Sequence, residues 1–243
     1  VIDLGRALAT EVAHDASPHI QVVAHSMGGL VARAALALPG GERIERLVML
    51  GTPNSGSFAP VQALRGTYAV VRKLAALDQM HTAETLASEV YSTFPGLYEL
   101  LPAECTTAVD LFDPAVWPAR GPRPEPALLA AARSSLRGLA SADTRMALIA
   151  GYGRPTVTGV RRSGADFEYL VTRNGDGTVP LALAELPGVR TWYIREGHSE
   201  LTTNDVVASA VIDLLRAGRT QRLSAAPPAP TRAVARICDS ALR

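Results

Sequence analysis

The spacing of apolar residues changes period several times along the chain, and each change marks an element. Leu4, Leu8 and Val12 stand four apart, which predicts an amphipathic helix over 2–12, ended by 15–18. Ile20-Gln21-Val22-Val23-Ala24 is a short β-branched run and reads as a buried strand. It continues straight into His25-Ser26-Met27-Gly28-Gly29. From Leu30 the spacing is helical again, through Val31, Ala34, Ala35 and Leu38, and Pro39-Gly40-Gly41 closes it. A second strand over 46–50 ends at Gly51-Thr52-Pro53-Asn54-Ser55-Gly56. Strand, turn, helix, strand in this order predicts a mostly parallel sheet with flanking crossover helices, an α/β fold.

Between 57 and 143 that rhythm is lost. Helical pieces over 61–77 and 128–139 flank an irregular segment, Phe94-Pro95-Gly96-Leu97-Tyr98-Glu99-Leu100-Leu101-Pro102, and a proline-dense run around Trp117. A structureless connection of that length would be unusual, so 57–143 is expected to be an inserted helical cap. The sheet resumes at 146–150. A hairpin-like pair over 156–160 and 167–171 follows, then Asn174-Gly175-Asp176-Gly177, a strand over 189–195 and His198. The last helix is expected over 204–217, with Val207, Val211 and Leu214 on one face and Gly218 as its stop. The division this predicts is a core of 1–56 with 144–218, a cap of 57–143, and a linker and tail over 219–243, opened by Ala225-Ala226-Pro227-Pro228-Ala229-Pro230.

Composition narrows the picture chiefly by exclusion. The 243 residues suffice for one large core, 47% are apolar, and the net charge is +1. Lys73 is the one lysine among 24 basic residues, and no basic cluster interleaved with aromatics is present. The arginines read as compositional bias on a solvated face, so no nucleic-acid partner is expected. Cys105 and Cys238 lie far apart and form no CxxC pair; two free thiols are expected rather than a disulfide. No apolar run is long enough to span a membrane, and no basic-then-apolar leader is seen. A cytoplasmic location is the expectation, compatible with a signal ahead of Val1.

Strand, Ser26, then helix is the sequence form of a tight turn that lifts a serine hydroxyl above the strand ends. Such a turn needs small residues two before and two after the serine; Ala24 and Gly28 meet that need. It also aims the N–H of Met27 at a developing oxyanion. The plainer alternative is a helix N-cap beside core glycines. A serine nucleophile requires a base, and the base an orienting carboxylate. Asp176, in a glycine-flanked loop after a strand, and His198, between the last strand and last helix, follow Ser26 in the required order. Taken singly, Asp176 could be a turn residue and His198 a helix-entry residue. His25 points away from acting as the base and reads as structural; His14, His19 and His81 read as surface or core residues. A calcium loop around Asn174 is rejected because Thr172 and Leu183 occupy carboxylate positions. No metal, nucleotide or other cofactor is expected.

Four segments together resemble the lecithin:cholesterol acyltransferase-like family of α/β-hydrolases: Ala24-His25-Ser26-Met27-Gly28-Gly29, Leu50-Gly51-Thr52-Pro53, the proline-bounded 94–102 segment, and Gly175-Asp176-Gly177-Thr178-Val179-Pro180. The resemblance covers about 4–216. It implies a serine esterase, phospholipase or acyltransferase acting on acyl esters, with Ser26, Asp176 and His198 as nucleophile, acid and base. It also implies strands upstream of β-run 20–24, one of whose loops supplies a second oxyanion donor. Those N-terminal strands have no counterpart here, so either further domains of a longer chain or an incomplete oxyanion hole is expected. The apolar cap residues Leu97, Tyr98, Leu101 and Trp117 are expected either to cover an acyl chain or to form the cap's own small core. The expected partners are a lipid-like or acyl-ester substrate and, transiently, a membrane surface. The competing expectation is a binding or scaffolding module that keeps the fold without the activity.

Overall fold

A computed structural model of the chain describes residues 1–103 and 109–242, apart from the side chain of Leu136. Four parallel strands form the main sheet in the order β1 (Ile20–His25), β2 (Ile44–Leu50), β3 (Met146–Gly151) and β6 (Thr191–Ile194). β1 stands at its edge. Alternation along β2 shows how the layers close. Leu47 and Met49 face one way, into a cluster with Val12 of α1 (Ile2–His14) and with Ala32 and Leu36 of α2 (Met27–Leu36). Val48 and Leu50 face the other way, against Val207, Ala210 and Leu214 of α9 (Asp205–Ala217). The inner strands β2 and β3 are covered on both faces, which is why they read as nearly continuous apolar runs. β1, expected to be buried, lies at the edge and leaves Val23 47% exposed.

The helix ends follow local chemistry. Asn204 caps α9 by accepting from Val206 and Val207 N–H at 2.9 and 3.1 Å, and Gly218 ends it in the left-handed region at φ 66°. The expected single helix over 61–77 is two, α3 (Ala59–Leu64) and α4 (Ala69–Asp78), broken at Gly66 with φ 68°. The short helices α5 (Ala83–Glu89) and α6 (Pro95–Tyr98) follow, then α7 (Pro126–Ser135) and a turn of 3-10 helix in place of its expected last residues.

The expected hairpin exists as β4 (Thr156–Ser163) and β5 (Asp166–Thr172), but it belongs to a second, antiparallel sheet of order β4-β5-β7. Its third strand, β7 (Ala235–Cys238), and the following α10 (Asp239–Leu242) come from the segment expected to be linker and tail. That expectation is corrected, and the reason is electrostatic as well as strand pairing. Arg65 and Asp239 are each 0% exposed and bonded at 2.8 Å, and Tyr169 Oη donates to the same carboxylate at 2.6 Å. The rest of the Arg65 guanidinium donates to the carbonyls of Pro118, Arg120 and Pro122. A run rich in proline has few N–H groups to occupy its carbonyls, so it suits a buried guanidinium.

The cap helices share one core with this sheet: Phe58, Val61, Leu64, Tyr98, Trp117 and Leu129 pack with Phe167 and Tyr169. Thus the described residues of 57–143 share one core with β4, β5 and α10. Cys105, and with it the expectation for the two cysteines, lies outside the described residues; Cys238 is half-buried in β7. Among the described residues no helix is long and apolar enough to cross a membrane.

Candidate functional site

Ser26 sits where β1 stops and α2 starts, with φ 55° and ψ −130°. This is a region that residues with a side chain avoid, at a cost of about 1–3 kcal/mol. The strand side of the turn is pinned by Ser26 N–H to the Leu50 carbonyl at 2.9 Å. Met27 is the first residue of α2, so its N–H has no carbonyl partner within the helix. The tight glycine of the turn is not Gly28, whose added Cβ would lie 3.9 Å from that of Ala24, an ordinary contact. It is Gly29, where a Cβ would overlap the side chain of Thr52.

Asp176 is buried in the loop between β5 and the short helix α8 (Leu181–Ala184). Its Oδ1 accepts from the N–H groups of Thr178 and Val179 at 2.9 and 2.7 Å, which leaves Oδ2 to face His198. His198 lies in the loop after β6. Its N–H donates to the Asp176 carbonyl at 2.9 Å, so the two loops are joined through main chain as well as side chain. Glu196 braces the same loop, accepting from Gly197 N–H at 2.9 Å, from Arg154 at 2.9 Å and from Asn204 at 3.0 Å. These donors, Gly197 first, hold the Glu196 carboxyl below its usual range.

The three predicted residues are brought into one row. His198 Nδ1 lies 2.8 Å from Asp176 Oδ2, and His198 Nε2 lies 2.9 Å from Ser26 Oγ. A carboxylate only accepts, so Nδ1 carries the proton and Nε2 is left to accept from the serine hydroxyl. An arrangement of this kind can take a proton from an attacking hydroxyl and keep the resulting imidazolium beside a fixed negative charge. The row is accommodated by Gly51 at the end of β2, at φ 55°. A Cβ there would lie 3.1 Å from His198 Nδ1, 3.2 Å from Asp176 Oδ2 and 2.9 Å from Leu201 Cδ1. Sequence reasoning left Gly51 without a role; its place directly after a strand in Gly51-Thr52-Pro53 was the available signal.

A cavity of about 140 Å³ opens on Ser26, lined by the buried Pro60, Ala63 and Val179 and by the half-buried Tyr68, Tyr91, Leu97 and Leu100. Of the four cap residues expected to meet substrate, Leu97 is in this wall. Tyr98, Leu101 and Trp117 are not: they are 0%, 1% and 1% exposed in the shared core. Trp117 stacks edge-on with Phe167 and donates Nε1–H to the Leu111 carbonyl at 2.9 Å. Larger open depressions are present, one of about 710 Å³ between α1 and 95–99 that reaches the side of the site at Met27 and Gly96, and one of about 880 Å³ among Arg190, Arg216, Arg219 and Arg222. Neither touches Ser26.

Residues 8–93 match the family model described as the PGAP1-like alpha/beta domain. That match is to a different family from the one the motifs resemble. No curated protein matches the chain. Two solved structures are similar in fold. The Bacillus licheniformis lipase BlEst2 in mature form has a TM-score of 0.50 and 16% identity, over 88% of this chain and 74% of that one. A chain of the Tle4–Tli4 complex has a TM-score of 0.54 and 17% identity, over 89% of this chain. This chain spans 64% of the length of that second neighbour. With a parallel sheet between helical layers, a strand–serine–helix turn, the PGAP1-like match over 8–93 and these neighbours, the chain has the α/β-hydrolase fold.

Proposed function

We propose that this chain is a serine hydrolase of carboxylic esters, with Ser26 as nucleophile, His198 as general base and then acid, and Asp176 as the group that orients the imidazole. The observation that carries the reading is the unbroken hydrogen-bonded row from Asp176 through His198 to Ser26 at the mouth of an apolar cavity. In the first step Ser26 Oγ forms a bond to the ester carbonyl carbon while its proton passes to His198 Nε2. The carbonyl π pair moves onto oxygen, and the N–H of Met27 faces that oxyanion. The tetrahedral adduct collapses by breaking the bond to the alcohol oxygen, which leaves with the proton from His198. Water, deprotonated by the same imidazole, then releases the acid and restores the serine. Transfer of the acyl group to a second alcohol in place of water follows the same steps. The similarity in fold to a lipase agrees with this chemistry.

The test is covalent. Purified chain is treated with a fluorophosphonate, which traps an activated serine, beside Ser26→Ala. Labelling confined to the chain that keeps Ser26 supports the reading. A folded chain that takes no label is a binding module on this fold, and the catalytic reading then falls.

A further inference from the structure

The cavity at Ser26 sets how much of an acyl chain the site can enclose. Its volume is about 140 Å³. A dry apolar cavity of about 150 Å³ accommodates benzene, six carbons. Its buried wall is made by one face of α3, Pro60 and Ala63, and by Val179. The apolar side chains that could have prolonged it into the cap are spent on the shared core, where Tyr98, Leu101 and Trp117 are closed off from solvent. The rest of the lining is half-buried, and Val70 in it is 49% exposed, so the cavity is open to water. A chain that outgrows the cavity therefore meets solvent and not a tunnel.

We propose that the preferred substrates are esters of short acyl groups, of about six carbons or fewer, with Ala63 and Leu97, both in the cavity lining, setting the length. The inference rests on the serine hydrolase reading and deepens it. Seating each methylene in such a cavity is worth about fourfold in kcat/KM, the transfer free energy of one buried CH₂. That gain accrues only while the chain remains enclosed. Ala63→Leu fills part of the cavity and Leu97→Ala enlarges it, so the two changes move the preferred length in opposite directions, by about two to three carbons each.

The experiment measures kcat/KM for p-nitrophenyl esters from acetyl to palmitoyl, below their critical micelle concentrations, on the full chain and on A63L and L97A. Ratios between two esters on one preparation do not depend on how much of it is folded, so a destabilised variant still reports. The expected result is a rise from acetyl to about hexanoyl, no further gain beyond it, a shorter optimum in A63L and a longer one in L97A. A rise that continues through lauroyl and palmitoyl, or an optimum indifferent to both substitutions, overturns the proposal while fluorophosphonate labelling at Ser26 still stands. Absence of both labelling and turnover removes the hydrolase reading itself, and the length limit with it.

Discussion

His25 Nε2 donates to the main-chain carbonyl of His198 at 3.0 Å, and the two imidazole rings lie 4.7 Å apart at 43°. The residue next to the serine thus holds the backbone that carries the imidazole. It must be neutral to do this without opposing the imidazolium that His198 becomes in the proposed mechanism. Burial, the largest influence, pushes the His25 pKa below the ordinary 6.5, and the facing His198 lowers it further, against Asp176 and the His198 carbonyl, which raise it. His25→Gln keeps an amide donor within reach, whereas His25→Leu leaves the carbonyl unpaired. Leu is expected to lower the rate of fluorophosphonate labelling about tenfold, the worth of one lost hydrogen bond of about 1.4 kcal/mol, and Gln much less.

The same shift has a consequence for stability with a fixed sign. A histidine whose folded pKa is depressed takes up its proton later in the folded chain than in the unfolded one. The stability this represents is present above about pH 6.5 and is lost as pH falls through the folded value. Urea midpoints of the native chain at pH 7.5 and pH 5 are expected to differ by more than those of His25→Gln. Equal differences would mean that His25 titrates normally.

Gly51→Ala tests how closely the end of β2 supports the row. The added methyl meets His198, Asp176 and Leu201 at 2.9–3.2 Å, at a backbone φ of 55°. A displacement of the imidazole by a fraction of an ångström is expected to reduce kcat/KM roughly 100-fold. The positive φ adds a stability loss of about 1 kcal/mol, readable by denaturation.

Ser26→Gly separates strain from chemistry. It removes the proposed nucleophile and with it the expected labelling, yet it also relieves the residue of φ 55° and ψ −130°. Against a strain of about 1–3 kcal/mol stands the extra freedom of glycine in the unfolded chain, about 0.5–1 kcal/mol. The variant is therefore expected to be inactive and about 1 kcal/mol more stable, as measured by urea denaturation. A less stable variant would show that the turn stores no strain.

Asp239 provides the measure of how firmly the C-terminal segment is built in. Asp239→Ala strands the Arg65 guanidinium, 0% exposed, without its carboxylate and removes the acceptor of Tyr169 Oη. Breaking a buried pair from one side costs about 3–5 kcal/mol. A loss below 1 kcal/mol would show instead that β7 and α10 are dispensable.

What the sequence by itself determined is whatever depends on neighbours along the chain. The four- and three-residue spacing of Val207, Val211 and Leu214, with Asn204 before and Gly218 after, is enough to define α9. The β-branched run to Ala24, the small Gly28-Gly29 pair and the following helical spacing are enough to define the serine turn. The order of Ser26, Asp176 and His198 on loops after strands could also be read, because each loop's type is written in its own glycines. Tertiary structure decided everything that depends on which surface meets which. Ala235-Arg236-Ile237-Cys238 has no strong strand pattern of its own and becomes β7 because β5 offers an edge and Arg65 a buried charge for Asp239. Tyr98, Leu101 and Trp117 are equally apolar in a substrate pocket or in a core; only the packing of Phe167 and Tyr169 against them closes that choice. The contact between His25 and His198 spans 173 positions. Local propensity carries no term for such a pairing, which arises only when the parallel sheet brings the loops after its two outer strands, β1 and β6, together at one end.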